Sequence, residues 1–271
     1  MTVSGQIVVF VHVPKTAGTT VLRILEREYG ADALLTLYDS TFGDELSTLP
    51  AARLAGIRAV AGHFYFGVHQ DTSLPCRYFT FLRDPVERIV SHYHFVRGQP
   101  DHYLHGAATR LGLREYVEVC GGAEPNNDQT RLLAGRNAAP ADGISSPEML
   151  PAAKLNLERH DVVGLTEAFD ASLLLLQRSF GWRAPFYRKQ NVSRPGRARR
   201  LDGATREAIF EYNALDLELY RHARERFEQQ LAEAGGERFA RQVRRFTRLN
   251  TVYGGVHRFG SAAKRRLVPT A

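Results

Sequence analysis

The sequence predicts an α/β fold in which helices flank a central parallel β-sheet. Apolar runs rich in β-branched residues predict strands at residues 6–13, 57–62, 77–82 and 161–165. Each predicted strand is followed by a helical pattern or a loop, and this alternation is typical of a parallel sheet. A chain of 271 residues with 44% hydrophobic residues can bury a full core of this kind.

Helical periodicity predicts the segments that cover the sheet. The first predicted helix, residues 18–29, has apolar side chains on one face and ends at Gly30. The longest, residues 204–231, has an apolar stripe with spacings of three and four residues. The other predicted helices span residues 84–97, 110–119, 167–180 and 237–249.

The net charge of +7 is concentrated at the end of the chain. Residues 236–271 contain nine Arg and Lys residues and a single acidic residue, so the rest is close to neutral. We therefore predict a main domain over residues 1–235 and a basic C-terminal helix and tail over residues 236–271. Such a helix either packs its apolar stripe on the domain, the commoner case, or contacts an anionic membrane or polymer.

Other bulk features favour a reducing compartment. The two cysteines, Cys76 and Cys120, are too few for a disulfide framework or a zinc site. The apolar run at residues 7–13 is too short to span a bilayer, and no signal-peptide pattern frames it. We therefore expect a cytoplasmic protein.

The strongest functional signal is the turn after the first predicted strand. The turn consists of Pro14, Lys15, Thr16, Ala17, Gly18, Thr19 and Thr20. Amides and hydroxyls at a helix N-terminus favour phosphate binding. The turn is not a Walker A loop, because Lys15 precedes Gly18 instead of following the last glycine.

A second strand–turn–helix unit contains Arg83 and Ser91. Asp84 is a good N-cap and Pro85 suits the first helical position. Arg83 at the strand end and Ser91 two helical turns later could reach one phosphate, with the guanidinium forming a fork. Alternatively, the turn has no ligand and Ser91 bonds a carbonyl one turn back. We expect Arg88 to support the turn by pairing on the helix surface.

Together these motifs resemble those of sulfotransferases that use 3′-phosphoadenosine 5′-phosphosulfate (PAPS). Residues 14–20 resemble the 5′-phosphosulfate loop, and residues 83–93 match the 3′-phosphate motif RDPxxRxxSxY at every fixed position. Residues 62–66 resemble the GHxxF stretch of the glycan-type branch, such as heparan sulfate 2-O-sulfotransferase and its bacterial relatives. Residues 127–135 are similar to a QTRxLxG stretch of bacterial members, and the resemblance covers about residues 5–230.

This resemblance implies a three-layer α/β fold related to P-loop nucleotide kinases. It also implies in-line transfer of a sulfuryl group from PAPS to a hydroxyl of a glycan or small metabolite, with no metal required. The product of PAPS would be 3′-phosphoadenosine 5′-phosphate (PAP). Golgi-resident relatives have an N-terminal membrane anchor that this sequence lacks, so we expect a bacterial protein.

The resemblance assigns roles to the loop. Lys15 would stabilise charge on the leaving phosphate oxygen, while Thr16, Gly18, Thr19 and Thr20 would bind the 5′-phosphate.

His63 is the candidate general base that takes the acceptor proton. It follows a predicted strand, where a parallel sheet places its active crevice, and imidazole accepts protons near neutral pH. Alternatively, His63 caps a carbonyl at the strand end. His12 and His69 are close enough in sequence to be rival bases.

Residues 188–200 contain six basic residues and no acidic residue. The resemblance implies that such a loop closes over the nucleotide, which makes Arg188, Lys189 and Asn191 weaker cofactor candidates. The alternative is a solvated charged loop.

The weakest candidates are Asn127, Gln129 and Arg131, which could position the acceptor or simply start a helix. Two alternative functions remain open. One is a kinase-like NTPase that uses Mg-ATP, although the loop has no lysine after its last glycine and no acidic metal ligand. The other is a non-catalytic relative that binds an anionic glycan or membrane through the basic tail. We expect no nucleic-acid partner.

Overall fold

Five parallel strands form one sheet in the order β2-β3-β1-β4-β5. The computed structural model describes residues 5–38, 49–120, 124–138, 145–183, 185–188 and 198–266. The strands are β1 Ile7–Val11, β2 Leu34–Leu37, β3 Ala59–Gly62, β4 Cys76–Leu82 and β5 His160–Leu165. The predicted parallel sheet is confirmed, and β2 is a strand that sequence periodicity missed.

The central strand β1 is buried along its whole length, which explains its uninterrupted apolar sequence. It pairs in parallel with β3 on one side and with β4 on the other. At the end of β3, a Cβ atom on Gly62 would lie 1.9 Å from the carbonyl oxygen of Leu37. Only glycine allows β2 and β3 to approach this closely just before His63.

Helices flank the sheet and give a three-layer α/β architecture. The described residues form α1 Gly18–Tyr29, α2 Ala51–Gly56, α3 Pro85–Arg97, α4 His105–Arg110, α5 Leu113–Val119, α6 Asp128–Ala134, α7 Met149–Glu158, α8 Phe169–Phe180, α9 Gly203–Tyr212, α10 Ala214–Glu233 and α11 Gly236–Arg266. The first predicted helix is confirmed at both ends. The predicted helix 204–231 is instead two helices, α9 and α10, separated at Asn213.

The basic helix α11 packs on the body of the protein. Phe239 and Phe246 are buried in the main hydrophobic cluster. Leu249, three residues after Phe246, is 48% exposed, and Asn250 is buried instead. Among the described residues, no helix is both long and apolar enough to span a membrane.

The prediction that Arg88 pairs on the helix surface is wrong. Its side chain is fully buried, and its guanidinium nitrogens lie 3.6 Å from carboxylate oxygens of Asp128 and Asp216. Asn127 and Asn213 add hydrogen bonds between the start of α6 and the start of α10. These buried polar groups join α3, α6 and α10.

Candidate active site

A cavity of about 950 Å³ lies at the carboxyl ends of β1, β3 and β4. It is lined by the turn after β1, by His63 after β3 and by Arg83 after β4. Parallel sheets place ligand sites at this edge because the loops after neighbouring strands converge there. The predicted phosphate motifs and the predicted base therefore meet in one cavity.

The turn after β1 has a backbone shape suited to an anion. Lys15 and Ala17 both have φ of 70°, in the left-handed region that non-glycine residues rarely occupy. A Cβ atom on Gly18 would lie 1.7 Å from Nε2 of His12, so the start of α1 packs directly on that ring. The amides of Gly18 and Thr19 form no backbone hydrogen bond with the described residues.

Six of the seven predicted turn residues line the cavity, and Thr16 is the exception. Thr16 is fully buried, and its hydroxyl donates a 2.7 Å hydrogen bond to the carbonyl oxygen of Val13. Its side chain therefore supports the turn and does not line the cavity.

Two cationic side chains, Lys15 and Arg83, line the cavity. Lys15 Nζ lies 3.7 Å from the centroid of the Phe95 ring, and burial together with Arg83 lowers the pKa of Lys15 to about 8. Arg83 donates from one guanidinium nitrogen to the Lys15 carbonyl oxygen at 3.3 Å, and the other lies 3.4 Å from Glu87. These long contacts leave the pair able to bind an anion.

The position of Arg83 is fixed by its backbone. The side-chain amide of Gln129 accepts from the Arg83 amide and donates to the Arg83 carbonyl, both at 3.0 Å. Asp84 accepts from the Glu87 amide at 3.0 Å, which confirms it as the N-cap of α3. Ser91 lies in α3 and also lines the cavity.

His63 lies in a group of three rings. Its ring centroid is 4.5 Å from that of His12 and 4.7 Å from that of Tyr38. The Nε2 atom of His63 is buried and has no hydrogen-bond partner among the described residues. Burial lowers the pKa of His63, although Asp128 and Glu124 act in the opposite direction.

The two rival histidines are otherwise engaged. His12 Nδ1 lies 3.0 Å from the Tyr38 hydroxyl, while its Nε2 packs against Gly18. His69 does not line the cavity and bonds the Tyr78 hydroxyl at 2.8 Å. The geometry therefore favours His63 among the three.

The weaker candidates lie away from the cavity or outside the described residues. Arg188 is exposed and does not line the cavity, while Lys189 and Asn191 lie outside the described residues. The three acceptor candidates are buried at the start of α6, as the helix-start alternative predicted, and none lines the cavity. They are Asn127, Gln129 and Arg131.

Several cavity residues were not predicted. One group consists of residues 166–171, which follow β5, together with Tyr187 and Val243. A second group consists of His92, His102 and Glu124 on another wall. Glu124 lies in a loop with no local chemical signature, so only tertiary structure could reveal it.

Two family profiles match consecutive parts of the chain. The Sulfotransferase family profile matches residues 3–137, and the Galactose-3-O-sulfotransferase profile matches residues 145–253. The chain belongs to the sulfotransferase family. The predicted resemblance to glycan sulfotransferases is confirmed, because similar proteins are named for heparan sulfate and for galactosylceramide.

This sulfotransferase is similar to two mouse proteins. Heparan-sulfate 6-O-sulfotransferase 3 of Mus musculus is 30% identical over 181 residues, covering 56% of this chain and 38% of the relative. Galactosylceramide sulfotransferase of Mus musculus is 27% identical over 268 residues, covering 90% of this chain and 62% of the relative. The chain therefore spans less than two thirds of the length of these curated relatives.

Among solved structures, mouse sulfotransferase SULT7A1 complexed with PAP matches 77% of this chain and 66% of its own. The identity is 16% and the TM-score is 0.39. The bacterial origin and cytoplasmic location of this sulfotransferase stay predictions.

Proposed function

We propose that this sulfotransferase transfers a sulfuryl group from PAPS to a hydroxyl of a carbohydrate acceptor. The observation that carries the proposal is the meeting of Lys15, Arg83 and His63 at one cavity. Sulfuryl transfer needs cations near the donor phosphates and a base near the acceptor hydroxyl. This cavity offers both.

The residues present fit the donor. The left-handed turn and the free amides at the start of α1 suit the 5′-phosphate. Arg83 and Ser91 line the same cavity and would hold the 3′-phosphate. Arg188, Lys189 and Asn191 remain candidates for closure over the nucleotide.

When bound, PAPS would supply the sulfuryl group and a phosphate leaving group. The Lys15 ammonium would neutralise the charge that develops on the leaving oxygen. His63 would accept the proton of the acceptor hydroxyl, since its lowered pKa keeps the imidazole neutral near pH 7. Gly18 and Gln129 act indirectly: Gly18 lets α1 pack on His12, and Gln129 holds the Arg83 backbone. None of these steps uses a metal ion.

The relatives support a carbohydrate acceptor. One is named for heparan sulfate, a polyanionic glycan, and the other for galactosylceramide, an uncharged glycolipid. A carbohydrate hydroxyl is common to both, and we propose it as the acceptor group here.

The test is transfer of radiolabelled sulfate from PAPS to a mixture of saccharides in the presence of EDTA. We expect labelled saccharide from the wild-type protein and about a hundredfold less from Lys15→Ala, in line with the loss of one charge-stabilising group. A protein that binds PAP but labels no saccharide in the mixture would contradict the proposal. Activity that EDTA abolishes would contradict only the metal-free mechanism.

A further inference from the structure

One wall of the cavity contains a carboxylate held by two imidazoles. An oxygen of Glu124 lies 2.8 Å from Nε2 of His92 and 3.6 Å from Nε2 of His102. The mechanism proposed above uses none of these three residues. All three nevertheless line the same cavity as Lys15 and His63.

Hydrogen bonds identify the proton positions in this cluster. The amide of Leu104 donates to Nδ1 of His102 at 3.2 Å, so the proton of a neutral His102 lies on Nε2, toward Glu124. His92 is fully engaged, because Nε2 contacts Glu124 and Nδ1 lies 3.3 Å from the Tyr116 hydroxyl. The two histidines therefore support the carboxylate and do not compete with His63 for a proton.

Glu124 is ionised under all physiological conditions. Burial alone would raise its pKa, but contacts with His92, His102 and Tyr103 outweigh burial and lower the pKa to about 2. Its side chain is still 30% exposed. A permanent negative charge therefore faces the cavity.

The three side chains could also be read as a metal site, since their ligand atoms all lie within 4.8 Å of one another. The His102 proton argues against this alternative. With Nδ1 occupied by the Leu104 amide, Nε2 has no lone pair to offer a cation unless that hydrogen bond breaks.

Exposed aromatic rings stand beside the carboxylate. Tyr103 does not itself line the cavity, but it is 68% exposed and stacks on the lining residue His102, with ring centroids 4.9 Å apart and an interplanar angle of 17°. Phe95 is 41% exposed and meets His102 edge to face, with centroids 6.4 Å apart. Sugar rings stack their C–H faces on such aromatic rings and donate their hydroxyl protons to carboxylates, so this wall suits a saccharide.

We propose that Glu124 and Phe95, with Tyr103 at the edge of the cavity, form the acceptor subsite, and that Glu124 makes it select an uncharged sugar ring over an anionic one. An ionised carboxylate accepts strong hydrogen bonds from hydroxyl groups and repels a uronate or sulfate group. The proposal rests on the proposed function, because it identifies the acceptor class of the same site.

The test compares two saccharides with PAP-loaded protein. One is uncharged, p-nitrophenyl β-galactoside, and the other is a heparosan oligosaccharide that contains glucuronate. Binding is measured by saturation-transfer NMR, and kcat/KM is measured with PAPS. We expect the wild-type protein to prefer the galactoside and Glu124→Gln to reduce that preference about tenfold through KM. Glu118→Gln, a matched change at a residue of α5 that does not line the cavity, should leave the preference unchanged.

Tyr103→Phe removes only the hydroxyl group that contacts Glu124 and serves as the control for a second test. That test is Tyr103→Ala, which also removes the mostly exposed ring. It should weaken galactoside binding several-fold and leave PAP affinity unchanged. A wild-type protein that binds neither saccharide or prefers heparosan would overturn the subsite. An unchanged preference in Glu124→Gln would do the same.

Two further readouts separate the possible failures. If the wild-type protein does not bind PAP, the proposed function itself fails. If it binds PAP and sulfates a saccharide, and Glu124→Gln does not change the saccharide preference, only the subsite proposal fails. Stoichiometric Zn²⁺ binding that Glu124→Gln abolishes would identify the cluster as a metal site and overturn the subsite proposal.

Discussion

The ammonium group of Lys15 lies 3.7 Å from the centroid of the Phe95 ring. The ring face attracts a cation, so Phe95 gives the lysine a defined position in the cavity. Burial and the charge of Arg83 lower the pKa of Lys15 to about 8. Lys15, the proposed cation at the leaving oxygen, therefore loses its proton only slightly above neutral pH.

This pKa predicts a bell-shaped pH dependence of kcat/KM for PAPS, which reports on the free enzyme. Lys15 must be protonated, so the rate should fall as pH rises through about 8. His63 must be neutral, and burial lowers its pKa, so the acid limb should lie below pH 6.5.

Lys15→Arg separates these two limbs. Arginine stays protonated at all accessible pH values, so the alkaline limb should disappear even if the overall rate is low. An alkaline limb near pH 8 that persists in Lys15→Arg would assign that limb to another group.

His63→Ala should reduce kcat by about 10²–10⁴, the usual contribution of a general base. PAP affinity should stay close to wild type, because the predicted donor contacts are made by other residues. Stopped assays give kcat, and calorimetry gives the PAP dissociation constant. His94→Ala, at an exposed position of α3, is the matched control and should retain full activity. Full activity of His63→Ala would move the base elsewhere.

Gly18→Ala should destabilise the protein by about 1–3 kcal/mol, because the new methyl group would collide with the buried His12 ring. The start of α1 should shift, and PAP binding should weaken. Urea unfolding measures the first effect and calorimetry the second. Gly203→Ala, at a helix start with open space around the new methyl, should leave both unchanged. Wild-type stability of Gly18→Ala would show that the ring moves aside easily.

Arg88→Ala should cost about 3–5 kcal/mol of unfolding free energy, because it leaves Asp216 buried without its cation, whereas Asp128 keeps its ion pair with Arg131. Burial already raises the pKa of Asp216, and Arg88 opposes that shift. Without Arg88 the carboxyl would hold its proton to higher pH than in the unfolded chain. The deficit should therefore be largest near pH 7 and shrink as pH falls toward 5.

Urea unfolding at several pH values checks this prediction. Arg114→Ala, which removes an exposed ion pair with Glu118 on α5, should have no measurable effect. A deficit for Arg88→Ala that grows toward low pH would have the wrong sign and would contradict the account.

Sequence periodicity predicted the central elements because their signals are local. The run in β1 is apolar throughout because the strand is buried on both faces, and Gly30 marks the end of α1. The break between α9 and α10 was missed because the apolar stripe continues through it. Asn213 ends α9 through bonds to Ile209 and to the distant Asn127, which the stripe does not reveal.

The candidate site also contains some residues that local motifs predicted and others that they could not. The positions of Lys15, Arg83 and His63 follow from where each strand ends, so local motifs located them together. The burial of Arg88 and the carboxylate at Glu124 depend on partners more than 20 residues away. Spacing within one segment carries no information about such contacts, so these features required the tertiary structure.

The most direct test of the central claim is calorimetric titration with PAP, adenosine 5′-monophosphate and Mg-ATP. We predict that PAP binds at least about tenfold more tightly than adenosine 5′-monophosphate, because Arg83 and Ser91 bond the 3′-phosphate. Arg83→Ala should remove that difference. Equal affinity for PAP and adenosine 5′-monophosphate, or a preference for Mg-ATP, would contradict the assignment of a PAPS site.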